Sequence, residues 1–183
     1  MRVSAKADYA VRAMLELAAA TDSRPLKREQ ISAAQKIPSK FLETIMLELK
    51  HAGIVKSTRG AVGGYALARP AEDISVADVI RAVDGPLANV RGERVETVEY
   101  VGAAKELRDL WVAVRASLRR VLESTSLQDV VEGDLPAAVR DLTADPEAWI
   151  SLNRRRRSPA AMGSGDESAG GVNSGDSPES RST

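Results

Sequence analysis

Hydrophobic positions in the first 35 residues recur with the spacing of α-helices. Ser4 is a favourable N-cap residue, and the apolar positions after it predict a helix over residues 4–20. Those positions are Ala10, Met14, Leu17 and Ala18. Residues 21–25 have the polar and proline-containing composition of a turn, and a second, short helix is expected over residues 28–35.

A third helix is predicted to begin at Pro38 or Ser39, because proline fits the first turn of a helix, and to end at Ala52 before Gly53. One face of this helix is apolar and is expected to point inward: Leu42, Ile45, Met46 and Leu49. The opposite face carries Lys40, Glu43, Thr44 and Leu47.

Two short extended stretches follow, at residues 54–58 and 65–68, on either side of a glycine-rich tip at residues 59–64. This pattern indicates a β-hairpin with a loop longer than the tightest turns. Three helices followed by a hairpin with a basic tip are the plan of a winged helix-turn-helix domain.

The second half of the chain is predicted to be helical. Ser75 and Asp78 form a capping box, Ile74 can pack on Val79, and this fourth helix ends at residues 84–86. Residues 87–96 lack a period and are interpreted as a loop. A long helix is expected over residues 97–123, followed by short pieces at 127–131 and 135–150. The apolar stripe of the long helix is Leu107, Leu110, Trp111, Val114, Leu118, Val121 and Leu122.

These elements predict a mainly α-helical fold: a winged helix-turn-helix domain with a small hairpin, plus a long dimerisation helix. The domain division is residues 1–86 for DNA binding, 87–96 for the loop and 97–150 for the dimerisation and packing helices. The tail at 154–183 is expected to be disordered, since residues 158–183 hold seven serines and five glycines. The tail opens with four arginines, interpreted as a solvated charge run; the alternative is a non-specific phosphate contact.

The amino-acid composition excludes several kinds of functional site. The chain of 183 residues contains no cysteine and one histidine, which excludes disulfides and thiolate metal sites and leaves little for imidazole-based catalysis. No apolar run has the length of a membrane span and no signal peptide is recognised, so a cytoplasmic protein without membrane contact is expected.

The formal net charge is zero, but the charges are segregated. Residues 1–70 contain 12 basic and 6 acidic side chains, whereas residues 71–153 contain 9 basic and 16 acidic ones. A basic first part favours double-stranded DNA as its partner.

In a helix-turn-helix the third helix enters the major groove, which makes its outer face the candidate for base contacts. The predicted base contacts are Ser39, Lys40, Glu43, Thr44 and, at the hairpin tip, Arg59. The predicted phosphate contacts are Arg2, Lys6, Lys27, Arg28 and Lys56. The alternative is an ordinary solvated helix.

The long apolar helix is expected to pair with that of a second chain, which would place two reading heads on one side of the DNA. The alternative is that it packs back on its own winged domain. Trp111 is interpreted as a packing residue and His51 as a residue favoured by the helix dipole. The glycine-rich tip lacks the Lys-Ser/Thr of a nucleotide-binding loop.

The chain resembles the Rrf2 family of winged-helix transcriptional regulators at several motifs. These are residues 1–10 (MRVSAKADYA), 38–43 (PSKFLE), 52–55 (AGIV), 59–65 (RGAVGGY) and 80–86 (IRAVDGP). The resemblance spans about residues 1–150. It implies a dimer with crossed long helices, and DNA contacts at Lys40, Glu43, Thr44 and the wing residue Arg59.

Many members of that family bind an iron–sulfur cluster through three cysteines before the long helix, and this chain has none. It is therefore expected to have no cofactor and no metal, like the cysteine-metabolism repressors of the family. Those respond through a metabolic enzyme or a small-molecule effector, and either is a candidate partner here.

The predicted function is thus a homodimeric, sequence-specific regulator, interpreted as a repressor, which binds a palindromic operator with a link to cysteine and sulfur metabolism. The alternative is a winged-helix interaction module that controls a metabolic enzyme instead of binding DNA. An enzyme is not expected, because no nucleophile or acid–base pair is clustered in the sequence.

Overall fold

The computed structural model describes residues 3–20, 24–60 and 63–150. The tail at 154–183, Arg2 and part of the turn at 21–25 lie outside these ranges. Residues up to Trp149 form one compact unit. None of the helices in the described ranges has the length and apolarity needed to cross a membrane.

The first three helices form the predicted tri-helical core. α1 spans Ala5–Ala19, α2 Arg28–Gln35 and α3 Ser39–His51. The Ser4 side chain caps α1 by accepting a hydrogen bond from the backbone N–H of Ala7 at 2.9 Å. Gly53, at φ 71°, ends the third helix with the left-handed backbone that glycine adopts without steric cost.

The hairpin that follows is the wing. Its strands are β1 (Val55–Thr58) and β2 (Gly64–Leu67), paired antiparallel with Val55 opposite Leu67. Leu26, in the segment before α2, exchanges two backbone hydrogen bonds of 2.8 Å with Tyr65 of β2. The wing is thereby joined to the helical core.

The fourth helix, α4, spans Val76–Asp84 and carries the predicted capping box. The backbone N–H of Asp78 donates to Ser75 Oγ at 3.1 Å, and that of Ser75 donates to Asp78 Oδ2 at 3.2 Å. Both Ile74 and Val79 are fully buried in the core.

Two predictions for the following segment are wrong. Residues 87–96 contain a small hairpin, β3 (Asn89–Val90) paired with β4 (Glu93–Arg94), turned by Arg91 and Gly92 at positive φ. Strands of two residues are too short to show alternation in sequence. The long helix, α5, spans only Leu107–Leu122, because Gly102 adopts a φ of 60° and Val98 turns into the core.

The chain then returns to the winged domain. α6 spans Leu127–Glu132 and α7 Ala137–Thr143, followed by a 3₁₀ turn at Pro146–Trp149. Leu127 is fully buried in the same core as α1 and α3, and its backbone N–H donates to the Ile74 carbonyl at 2.9 Å. α6 therefore stabilises the winged domain by burying the apolar side chain of Leu127.

Candidate nucleic-acid interface

The outer face of α3 is the centre of the candidate interface. Leu42, Ile45, Met46 and Leu49 are all buried, so α3 has the predicted inward face. The four predicted base-contact residues of α3 are exposed on the remaining surface: Ser39, Lys40, Glu43 and Thr44. The structure thus brings these side chains to the solvent side of the first two turns, where a helix-turn-helix contacts bases.

Two large apolar side chains share this exposed surface: Leu47, which the sequence predicts on this face, and Phe41, which it does not. Leu47 is 53% exposed and Phe41 is 55% exposed. The ring of Phe41 packs edge-on against Tyr9 of α1, with centroids 6.2 Å apart, and the guanidinium of Arg12 lies 5.6 Å from the Tyr9 ring centroid. Phe41 therefore has a defined orientation, which helical spacing alone does not reveal.

Glu43 is paired with a residue of α2. Arg28 Nη1 lies 3.0 Å from Glu43 Oε2, and Arg28 Nη2 lies 3.2 Å from Glu29 Oε1. The pKa of Glu29 is lowered, first by a hydrogen bond involving its own backbone and then by Arg28. Arg28 is thus engaged with two carboxylates, and its phosphate contact stays a prediction from sequence.

Lys6 is also engaged inside the molecule. Its ammonium lies 2.8 Å from Glu48 Oε2 of α3 and donates to the backbone carbonyl of Val83 at the end of α4. Both side chains are about one-third exposed, at 34% and 32%. This contact joins three helices, and the phosphate contact of Lys6 stays a prediction from sequence.

The wing places its basic residues in solvent. Arg59 is exposed at the start of the tip, and Lys56 is exposed on β1. The backbone N–H of Gly63 donates to the Gly60 carbonyl at 2.9 Å, which joins the two sides of the tip. Both predicted wing residues are thus accessible to a large polyanion.

Glycine is required at the base of the wing. A Cβ on Gly64 would lie 2.5 Å from the carbonyl oxygen of Leu26, closer than side-chain carbons come to backbone oxygens. The wing can approach the segment before α2 only because this side chain is absent. Lys27, the next residue after Leu26, is exposed beside this junction.

The apolar face of α5 turns toward its own domain but is only partly covered by it. Trp111, Val114, Leu118 and Leu122 line one wall of a cavity of about 820 Å³, whose other walls include Ala7 of α1 and Ile80 of α4. Every residue of α5, all of which the structure describes, is at least partly exposed. Packing back on the winged domain is therefore incomplete, and the remaining stripe residues Leu107, Leu110 and Val121 also retain solvent contact.

Ion pairs fasten α5 at two places beside this cavity. Arg115 of α5 pairs with Glu96, which follows β4, and Glu123 at the end of α5 pairs with Arg81 of α4. Glu123 also accepts from Arg119 at 2.9 Å. Hydrogen bonds from Arg119 and Arg81 lower the pKa of Glu123.

The segment before α5 has no fitting ligand set for iron. Glu93, Glu96 and Glu99 lie in this segment, but the chain has no cysteine. The described residues contain no group of three or more His, Cys, Asp or Glu side chains placed to hold a metal ion. A thiolate-bound cluster does not fit these residues.

The chain matches the sequence pattern of the Rrf2 family, described as "Iron-dependent Transcriptional regulator", over residues 3–133. It is 49% identical over 151 residues to the HTH-type transcriptional regulator Rv1287 of Mycobacterium tuberculosis strain H37Rv, covering 82% of this chain and 94% of that protein. It is 35% identical over 130 residues to the HTH-type transcriptional regulator CymR of Bacillus subtilis, covering 71% and 89%.

Two solved structures share the fold. CymR (YrzC), described as the global cysteine regulator of B. subtilis, superposes with a TM-score of 0.62 at 33% identity, over 73% of this chain and 98% of that one. IscR of T. potens superposes with a TM-score of 0.59, also at 33% identity, over 73% and 88%. The winged-helix fold is thereby confirmed.

Proposed function

Because this chain belongs to the Rrf2 family of transcriptional regulators, we propose that it binds a palindromic operator as a homodimer and represses transcription in the cytoplasm. The observation that carries the proposal is the exposed outer face of α3, a helix that packs next to strand β1 of the glycine-rich wing. In a winged helix, such a helix enters the major groove and the wing contacts the adjacent minor groove.

Within this proposal the residues of α3 supply the base contacts. Lys40 donates to guanine or to a phosphate, and Glu43 accepts from the amino group of cytosine. Ser39 and Thr44 carry hydroxyls that donate or accept. Arg59 enters the minor groove from the wing tip, where the glycines around it add little bulk.

Lys27 and Lys56 are proposed to contact phosphates. Both are exposed, and they lie on the two elements joined at the Leu26–Tyr65 backbone pair. Such contacts set the position of the protein on the duplex and carry no sequence information. Arg2 lies outside the described residues and stays a prediction from sequence.

The homodimer is proposed to form through α5. Its apolar face is only partly covered by its own domain and leaves the cavity of about 820 Å³ open. A second α5 would cover this surface and place two copies of α3 on one side of the DNA. Residues 1–86 and 97–150 share one hydrophobic core, so we propose that the boundary between them separates two functions and not two folding units.

We further propose that the protein works without an iron–sulfur cluster and responds to sulfur metabolism through a metabolic enzyme or a small-molecule effector. The lack of cysteine supports the first part. The similarity to CymR, whose description is a global cysteine regulator, supports the second.

A mobility-shift assay on DNA upstream of the protein's own gene tests the proposal. The parent is compared with Arg59→Ala and with Arg91→Ala, a matched control that removes an exposed arginine from the other hairpin tip. We expect Arg59→Ala alone to weaken retention, and retention to fall with salt. If neither Arg59→Ala nor added salt alters the retention of the DNA, the proposal is overturned.

A further inference from the structure

We propose that Arg28 is a positioning residue, which holds the Glu43 carboxylate in the orientation that contacts a base. This inference rests on the proposed function, because it assigns a role within the DNA interface. It replaces the expectation that Arg28 contacts phosphate. The inference rests on a contact between α2 and α3, in which Arg28 Nη1 lies 3.0 Å from Glu43 Oε2.

The guanidinium of Arg28 is held between two carboxylates of its own chain. Nη1 is on Glu43, Nη2 is 3.2 Å from Glu29, and Nε is buried without a hydrogen-bond partner among the described residues. The side chain is 34% exposed, so its stem is held against the protein. An arginine held in this way presents a fixed fork to one side, which favours a defined partner over a mobile phosphate contact.

Glu43 benefits from such a partner in two ways. Its side chain is 67% exposed, and without a partner it would lose rotamer freedom on binding a base. The contact with Arg28 is made by Oε2, which leaves the second carboxylate oxygen, Oε1, for a contact on the other side. Oε1 is therefore available to accept from the amino group of cytosine.

The second benefit is electrostatic. A carboxylate on a DNA-binding surface is repelled by the phosphates, and the repulsion grows where water is excluded. Arg28 places a positive charge 3.0 Å from that carboxylate and offsets its charge. Arg28 is thus expected to matter for which base is preferred, through Glu43.

The test uses operators selected by the full-length parent from a library of randomised DNA duplexes. The selected consensus and each single-base variant of it are then titrated with the parent, Arg28→Leu, Glu43→Ala and the double variant. Leucine replaces the partly buried apolar stem of Arg28 with a side chain of similar apolar bulk and removes the charge. Thermal unfolding of each variant checks folding, and Arg28→Gln serves if Arg28→Leu does not fold.

We expect Glu43→Ala and Arg28→Leu to lose preference at the same base pair, each by about tenfold, the scale of one good base contact. The double variant should lose no more than Glu43→Ala alone, because Arg28 acts through Glu43. The dependence of affinity on salt should be unchanged in Arg28→Leu. Lys27→Leu, the matched control, should instead weaken binding to all sequences and reduce that dependence.

Three results would overturn the inference. The first is that Arg28→Leu weakens all sequences equally and reduces the salt dependence, as a phosphate contact does. The second is that it changes nothing, and the third is that Glu43→Ala leaves every base preference intact. If the parent selects no sequence at all, the proposed function fails, and this outcome is distinct from the other three.

Discussion

Lys6 of α1 and Glu48 of the recognition helix α3 form an ion pair of 2.8 Å, and the same ammonium donates to the carbonyl of Val83 at the end of α4. A cation at the carboxyl end of a helix is favoured by the helix dipole. One side chain therefore connects three helices and sets where α3 sits relative to α4.

Replacement of Lys6 should destabilise the protein. Lys6→Met keeps the stem and removes the charge, which breaks the ion pair with Glu48 and the hydrogen bond to the Val83 carbonyl. We expect the free energy of unfolding to fall by about 1–2 kcal/mol, the scale of a hydrogen bond to a charged group that is partly exposed to water. Urea denaturation measures it, with Lys50→Met on the exposed side of α3 as control. Equal losses in the two variants would contradict the assignment.

Gly64→Ala should weaken the attachment of the wing. The added Cβ would meet the Leu26 backbone at 2.5 Å, so either β2 or the segment before α2 must shift. We expect a loss of about 1–3 kcal/mol in stability, typical of overpacking, together with weaker DNA binding. Thermal unfolding and DNA titration measure the two effects. Ala68→Ser, at an exposed position just after β2, should be tolerated; a tolerated Gly64→Ala would speak against the close approach.

Lys56→Ala should act uniformly on DNA binding. A lysine that contacts a phosphate weakens all sequences alike, and its loss lowers the slope of log affinity against log salt by about one. Titration of a selected operator and of an unrelated duplex at several salt concentrations gives both quantities. A change confined to the operator would indicate a base contact instead.

A charge on the apolar face of α5 should prevent dimerisation. Leu118 lines the open cavity, whereas Ala116 is exposed on the opposite face of the helix. Leu118→Asp is expected to give monomers that lose operator binding, and Ala116→Asp is the matched control with the same added charge. Sedimentation velocity distinguishes the species. A dimer that survives Leu118→Asp and remains folded would place the interface elsewhere.

The contact between α4 and α5 should weaken in acid. The pKa of Glu123 is lowered by its hydrogen bonds to Arg119 and Arg81, so its contribution to stability is present above the ordinary carboxyl pKa of 4.5 and is lost as the pH falls through the lower folded value. Urea denaturation of the parent and Glu123→Gln should therefore differ at pH 7. The difference should shrink below pH 4.5, and a difference that grew on acidification would contradict the sign.

Local sequence patterns were sufficient to predict the helices of the winged domain. Ser4 and Ser75 cap the helices that the sequence predicts, and the apolar residues of α3 repeat at a spacing that has only one inward face. These are relationships within a few residues of one another, where backbone geometry determines which side chains meet. The small hairpin at 89–94 escaped prediction because two-residue strands carry no period.

Partners distant in sequence could not be predicted in the same way. The basic charges of Lys6 and Arg28 indicated phosphate contacts, but folding places each beside a carboxylate of α3. Nothing in the spacing of Arg28 and Glu43, fifteen positions apart in the chain, signals their contact. Net charge in a segment is a sum over residues, whereas the availability of each charge depends on its neighbours in space.

The family, the winged-helix plan and the solvent face of α3 could be predicted from the amino-acid sequence, because motifs, caps and periodicity are local properties of the chain. Three features became visible only in the folded protein: which of the basic residues remain accessible, how closely the wing approaches the segment before α2, and how much of the α5 face is left uncovered. Those outcomes depend on the packing of elements far apart in sequence, and packing is set by the whole core at once.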